Sequence, residues 1–368
     1  MIAFAAWLWI QNLWALDETV HYAAAVQFTK YLLVFYFFYR LAAEATEATD
    51  ILMVHVAGCF ILGLLCFMAG RNLGDRLDGV GGPGIDDANT LGMFLAPGVI
   101  TGATVFLSAA GWRRVVIVLA MPIILNGLIL TGSRGAFLGL VAGGAIVFLL
   151  CPPERRWVFW GAAMLGVILA VRLVDQQFVE RMLTIREAVS EQGEIDTSAE
   201  SRLVLIEAQF RMAARYPHGT GHRGTAVLSP EYLEDRWLSI DKDQPDALPA
   251  RSSHNTFMTV LVEQGIPGVI AYVWVMLWGV VVVVRLRRLQ RRGISVEASA
   301  PAIAACAGIA VVWTAGQFTD YLLAEVQIWL LALLAASLDG IRQATADATT
   351  APAVAEPPDG LVGAGQAS

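Results

Sequence analysis

Apolar residues run along this chain in long stretches separated by short polar loops. A helix needs roughly 20 mostly apolar residues to cross a bilayer. By that measure the pattern predicts about ten spans, near 1–16, 22–43, 51–70, 88–110, 115–130, 136–150, 157–174, 268–284, 302–318 and 321–338. The runs are much longer than the strands of a membrane barrel, so the predicted class is an all-α polytopic membrane protein. The fifth and sixth spans meet at a tight tip, Thr131-Gly132-Ser133-Arg134-Gly135.

Composition supports the pattern. Hydrophobic residues make up 57% of the 368 positions and charged residues only 15%, where a soluble domain carries roughly a quarter. A water-soluble enzyme is therefore excluded. Four cysteines, all in or beside apolar runs, do not make a disulfide scaffold. A net charge of −7 argues against a nucleic-acid partner.

Arginines in short loops set the expected orientation. Arg113-Arg114, Arg155-Arg156 and the run Arg285 to Arg292 all fall on one side, which places that side and both termini in the cytoplasm; Arg71 and Arg76 are the exceptions. The expected organisation is N-terminal spans over 1–174, one large outer loop over 175–253, C-terminal spans over 254–340 and a disordered cytoplasmic tail over 341–368, rich in Ala, Pro and Gly. Met1 opens directly into an apolar span without a charged n-region, which is not a signal peptide.

The outer loop concentrates the ionisable chemistry, with 14 acidic and 9 basic residues from Asp175 to Ser253. Within it, Ser201–Tyr216 reads as an amphipathic helix. Leu205, Ile206, Phe210, Met212 and Ala213 fall within about 80° of Arg202, which puts that arginine at the centre of the apolar face. A guanidinium there requires an anionic partner. Two readings stay open, an ion pair to Glu263 or a loop carboxylate, and an anion site facing the membrane. Glu207, Arg211 and Arg215 share the opposite, solvated face. Pro217-His218-Gly219-Thr220-Gly221-His222 ends the helix and turns the chain. Its two histidines, like Asp241-Lys242-Asp243, have metal-like spacing, but neither setting favours a metal. Ser253 is a plausible N-cap that puts His254 in the first turn of a short helix, 255–264, broken by Gly265-Ile266-Pro267-Gly268. His254 is then either an interfacial histidine or a general base.

The series Ser133-Arg134-Gly135-Ala136, then Ser201-Arg202, Pro217…Gly219-x-Gly221, and His254-Asn255…Glu263-x-Gly265-Ile266-Pro267-Gly268 resembles the O-antigen ligase / Wzy polymerase superfamily. Asp87-Ala88-Asn89 is similar to its D-x-N at the head of a span. The resemblance implies a GT-C-like inner-membrane glycosyltransferase with a periplasmic active face. It would move a glycan from undecaprenyl diphosphate to an acceptor on a glycolipid, a glycan or a protein. It also implies a catalytic His254 and a diphosphate site at Arg134 and Arg202, with Asn89, Asn255 and Glu263 as neighbours of the site. A first pair of spans would lie ahead of Met1.

The chemistry suits these residue types. A diphosphate leaving group needs charge stabilisation, which arginine forks supply without a metal or other cofactor. The acceptor hydroxyl loses its proton to a histidine. The competing reading from another class is a flippase-like exporter of lipid-linked glycan or polysaccharide. It expects repeats and paired charges at the membrane midplane. No repeat is found, and only Lys30 and His55 lie deep in predicted spans.

Overall fold

The computed structural model describes residues 1–70, 77, 79–82, 84–85, 87–173, 197–239 and 249–350. Among these the chain is helical, with a single isolated bridge between Ser239 and Ala250. The helices are α1 (Ile2–Gln11), α2 (Glu18–Leu41), α3 (Ala45–Ala69), α4 (Ala88–Ser108), α5 (Trp112–Thr131), α6 (Arg134–Leu150), α7 (Arg156–Leu173), α8 (Thr197–Arg215), α9 (Gly224–Tyr232), α10 (Thr256–Arg291), α11 (Val296–Ala315) and α12 (Glu325–Thr350).

Five of these, α3, α4, α5, α10 and α11, are long and apolar enough to cross a membrane. Helices also occupy the other five predicted stretches, as α1, α2, α6, α7 and α12. The coarse expectation of an all-α multi-pass membrane protein therefore holds. Several boundaries shift: α1 ends at Gln11 rather than 16, α10 begins at Thr256 rather than 268, and α12 continues to Thr350, well past position 338 and into the stretch expected to be a disordered tail. Arg71, Arg76, Asp241, Asp243 and residues 351–368 lie outside the described residues.

The core is organised around α11, which packs on α4, α6 and α12, while α3 packs on α4 and α5. Small side chains explain the central place of α11. Its sequence from Ala302 to Ala310 is Ala-Ile-Ala-Ala-Cys-Ala-Gly-Ile-Ala. Small residues let backbones approach where lipid offers no hydrophobic drive between helices. A Cβ on Gly139 of α6 would come within 2.7 Å of the Val311 carbonyl of α11, so the crossing closes only on glycine. α10 is the opposite case. Ile266, Ile270, Trp274, Leu277, Val281 and Val284 are exposed along it, as expected of a helix that faces lipid. The four cysteines are buried and unpaired with one another, acting as small hydrophobes.

The head of α10 corrects the sequence reading. The cap is Asn255, whose side chain accepts from the Met258 amide at 3.1 Å. Ser253 Oγ instead accepts from Gln209 Nε2 at 2.9 Å. His254 therefore lies just before the helix, outside its first turn. The predicted break at Gly265 is present: after a π turn, Val260–Gln264, Gly265 leaves helical geometry at φ +65° and ψ −166°, and the helix then resumes to Arg291. Pro267 has no N–H for the Glu263 carbonyl, and that oxygen accepts from Gly221 N at 3.0 Å and Gln11 Nε2 at 2.9 Å. The Val262 carbonyl takes Thr220 N at 3.1 Å, and the Gln264 carbonyl takes Trp7 Nε1 at 2.8 Å. Carbonyls released by the proline and the π turn thus become the seat for the Gly219–Gly221 turn and for α1.

Candidate active site at the head of the bundle

Four segments distant in sequence are bonded together at one end of the bundle. Asp87 caps α4, accepting from Asn89 N at 2.7 Å and from Thr90 Oγ1 at 2.6 Å. Asn89 Oδ1 accepts from Ser133 Oγ at 3.2 Å. Ser133 is itself the cap of α6, with Arg134 as the first helical residue. The next residue, Gly135, packs on α11, where an added Cβ would lie 3.1 Å from Phe318 Cβ and 3.3 Å from the Ala315 carbonyl. The turn after α11 then ties the head of α10. Thr256 N donates to the Gly316 carbonyl at 2.7 Å, Thr256 Oγ1 to the Thr319 carbonyl at 3.0 Å, and Asn255 Nδ2 to the Gln317 carbonyl at 3.1 Å.

His254 sits half-buried at this junction. Burial lowers the proton affinity of its imidazole, Arg251 and Arg202 lower it further, and Asp87 pulls weakly the other way. The histidine is thus biased toward the neutral form that accepts a proton. Arg251 is anchored beside it: its amide donates to Ser229 Oγ at 2.7 Å and its guanidinium to Ser201 Oγ at 3.5 Å.

The structure brings together Asn89, Asn255, His254 and Arg202, and places Arg134 at the same end through its neighbours Ser133 and Gly135. Two sequence expectations change. Arg202 is not at the centre of the buried face of α8. Ser201, Leu205, Ala208, Gln209 and Met212 are the buried positions, while Leu203 and Phe210 are exposed. At 100° per residue the buried stripe is rotated by roughly 80° from the predicted one, which leaves Arg202 half-buried on its margin. Small and amide side chains, Ala208 and Gln209, pack inward where sequence hydrophobicity favoured Phe210. Glu263 does not pair with Arg202. Its carboxylate, only 4% exposed, faces His222, Arg223 and Thr225.

Residues that the sequence reading passed over are Arg251, Tyr321 and Asp320. Arg251 carried a legible signal, a cation three places before His254. Tyr321 did not; its hydroxyl reaches the Asn89 carbonyl at 2.7 Å across 232 positions. Asp320 lies behind the site, where burial and then the charge of Glu263 raise its carboxyl to about 6. His222 carries a raised proton affinity. Burial opposes its charged form, but its bond to Glu263 and the charges of Glu263, Asp320 and Asp17 outweigh that. His218 is exposed and packs edge-on against Trp14, with ring centres 5.5 Å apart.

These features define a multi-pass, all-helical membrane protein with a polar, arginine-bearing site at one end of its bundle. Residues 116–273 match the family model of the O-antigen ligase (Wzy_C), a similarity that supports an O-antigen ligase/Wzy assignment for that stretch. The matched stretch runs from α5 into α10 and includes Arg134, Arg202, Arg251, His254 and Glu263. No curated protein matches the chain. The family is one of membrane-bound ligase- and polymerase-type enzymes of lipopolysaccharide biosynthesis, which work on a lipid-linked glycan and an acceptor.

Proposed function

We propose that the protein is an inner-membrane glycosyltransferase that moves a glycan from undecaprenyl diphosphate to an acceptor hydroxyl on the periplasmic face. The observation that carries this reading is His254, a neutral-biased base set beside Arg202 and Arg251 and near Asp87. Arg134 and Arg202 take the diphosphate, helped by the N-terminus of α6, whose amides and dipole favour an anion. His254 removes the acceptor proton as the hydroxyl attacks the anomeric carbon. The glycan–phosphate bond breaks, the diphosphate leaves on the lipid with its electron pair, and a single displacement inverts the sugar. The charge that builds on the leaving group is met by guanidinium forks, and transfer proceeds without a metal or other cofactor.

A place for the lipid tail supports the same reading. An apolar crevice of about 390 Å³ opens between α10 and α11, lined by Trp278, Val283, Ile309, Trp313 and Leu334 among others. One lining residue, Trp313, is linked toward the site: its carbonyl accepts from Gln317 Nε2 at 3.1 Å, and the Gln317 carbonyl accepts from Asn255 Nδ2 at 3.1 Å. The exporter reading gains no such support: Lys30 is exposed, and His55 packs edge-on against Trp329 with ring centres 4.7 Å apart.

The test is transfer by the purified chain in nanodiscs from a defined undecaprenyl-diphosphate glycan, with lipid A core, glycan and protein acceptors compared. Product is expected with one acceptor class, with an inverted linkage and in the presence of chelator. No product with any of them, or activity that returns only on adding Mg²⁺ or Mn²⁺, overturns the proposal.

A further inference from the structure

The most heavily bonded buried carboxylate near the site belongs to no step above. Burying Glu263 without partners costs several kcal/mol. Its partners are specific. Oε2 accepts from Arg223 N at 3.0 Å and lies 3.3 Å from His222 Nδ1, and Oε1 accepts from Thr225 N at 3.3 Å. These amides open α9. That helix has no cap of its own, since its N-cap residue, Arg223, makes no side-chain cap bond and stands at φ +67°. A non-glycine residue is strained in that left-handed conformation, so the turn must be held by its surroundings. Asp17 pairs with the Arg223 guanidinium at 3.6 Å, and Glu263 supplies the missing cap from another helix. At nine residues, α9 is too short to be stable unaided.

The far turn of α9 carries the consequence. Ser229, fully buried, donates its hydroxyl to the Ala226 carbonyl at 2.7 Å and accepts from Arg251 N at 2.7 Å. The preceding residue, Ala250, is paired with Ser239 in both directions at 3.0 and 3.1 Å. Three residues after Arg251 comes His254, and Asn255 then caps α10, the helix that bears Glu263.

We propose that Glu263 is a positioning residue: by capping α9 from the π turn of α10 it holds Ser229, and through Ser229 it sets Arg251 and His254 against the rest of the site. The segment bearing the base is thereby fixed at both ends from one helix, covalently through Asn255 and non-covalently through Glu263 and α9. This inference rests on His254 being the base of the proposed transfer.

The experiment measures kcat and donor KM for the purified full chain bearing Glu263→Gln, Ser229→Ala, both together, and each combined with His254→Ala. Glu263→Gln keeps the side chain's size but removes one acceptor oxygen and the charge. Displacing a reacting group by about 1 Å costs on the order of 10²-fold in rate, so kcat is expected to fall by up to that factor while donor KM stays within about twofold. Ser229→Ala should lower kcat in the same way. Because the two residues act in one chain of contacts, the double variant should be no slower than the worse single one. Neither change should slow the residual rate of His254→Ala. If Glu263→Gln does not fold, Ser229→Ala carries the test through the same split between kcat and KM. Full turnover in the folded single variants, multiplying effects in the double one, or a loss confined to donor KM overturns the inference while leaving the proposed function standing. Wild-type turnover by His254→Ala overturns both.

Discussion

Tyr321 and Asn89 meet across 232 positions of sequence: the tyrosine hydroxyl donates to the asparagine carbonyl at 2.7 Å. The bond joins the turn after α11 to the first turn of α4, and both turns line the candidate site. It also explains the burial of Tyr321, which is 4% exposed, because a phenol hydroxyl taken from water needs a partner.

Tyr321→Phe is therefore expected to cost about 1 kcal/mol. The change shows as a lower thermal unfolding midpoint in detergent. Turnover should fall far less than in His254→Ala, since no reacting group is removed. An unchanged midpoint would mean that this contact does not hold the two turns together.

Division of labour between cation and base is testable by binding alongside turnover. Arg202→Lys should slow transfer by on the order of 10²–10³, about 2.7–4 kcal/mol of transition-state stabilisation, because an ammonium lacks the bidentate fork. His254→Ala should slow it by roughly 10²–10⁴ yet leave donor affinity nearly intact. Donor binding abolished by His254→Ala and untouched by Arg202→Ala would invert the assignment.

The acid limb of the pH–rate profile tests Arg251. A cation beside His254 disfavours imidazolium, so Arg251→Gln lets the imidazole hold its proton more tightly. Its pKa rises and the base is lost at higher pH. Arg202 would still press it down and Asp87 would still oppose. The acid limb of kcat/KM should thus move upward in Arg251→Gln and stay in place in Arg251→Lys. A limb that does not move in Arg251→Gln removes Arg251 from the environment of the base.

Asp320 makes stability depend on pH. Its carboxyl is raised from 3.8 to about 6 by burial and by Glu263, a difference of roughly 3 kcal/mol. Between those values the folded state binds the proton more tightly than the unfolded chain, so stability falls as pH rises through that window and the penalty is complete above it. His222 acts in the same direction. Its raised pKa gives stability that is full below its ordinary value and is lost as pH climbs through the folded one. Asp320→Asn keeps an acceptor for the Leu322 amide, which donates at 3.0 Å, and removes the charge. The variant is expected to unfold at a higher temperature than wild type at pH 7.5, with the gap closing at pH 4. An equal gap at both values would contradict the raised carboxyl.

Several things were determined by the sequence alone. Long apolar runs have no folded alternative to helices in lipid, so the all-α membrane class followed from hydropathy. The hairpin tip at Gly132-Ser133 was legible because a left-handed glycine and a serine cap are local devices; Gly132 stands at φ +55° and Ser133 caps α6. His254 and Arg202 stood out as candidates through the resemblance of their motifs to the O-antigen ligase superfamily. Arg202's place relative to the buried face could not be read, because a short amphipathic helix is turned by what packs on it, and here Gln209 faces inward, bonded to Ser253, while Phe210 is exposed. The role of Glu263 was likewise out of reach. Its partners are backbone amides of Arg223 and Thr225, and amides have no sequence signature. Only the tertiary structure decided that these buried oxygens cap a distant helix, because desolvating a carboxylate demands donors and the fold placed the uncapped start of α9 within hydrogen-bonding distance of it.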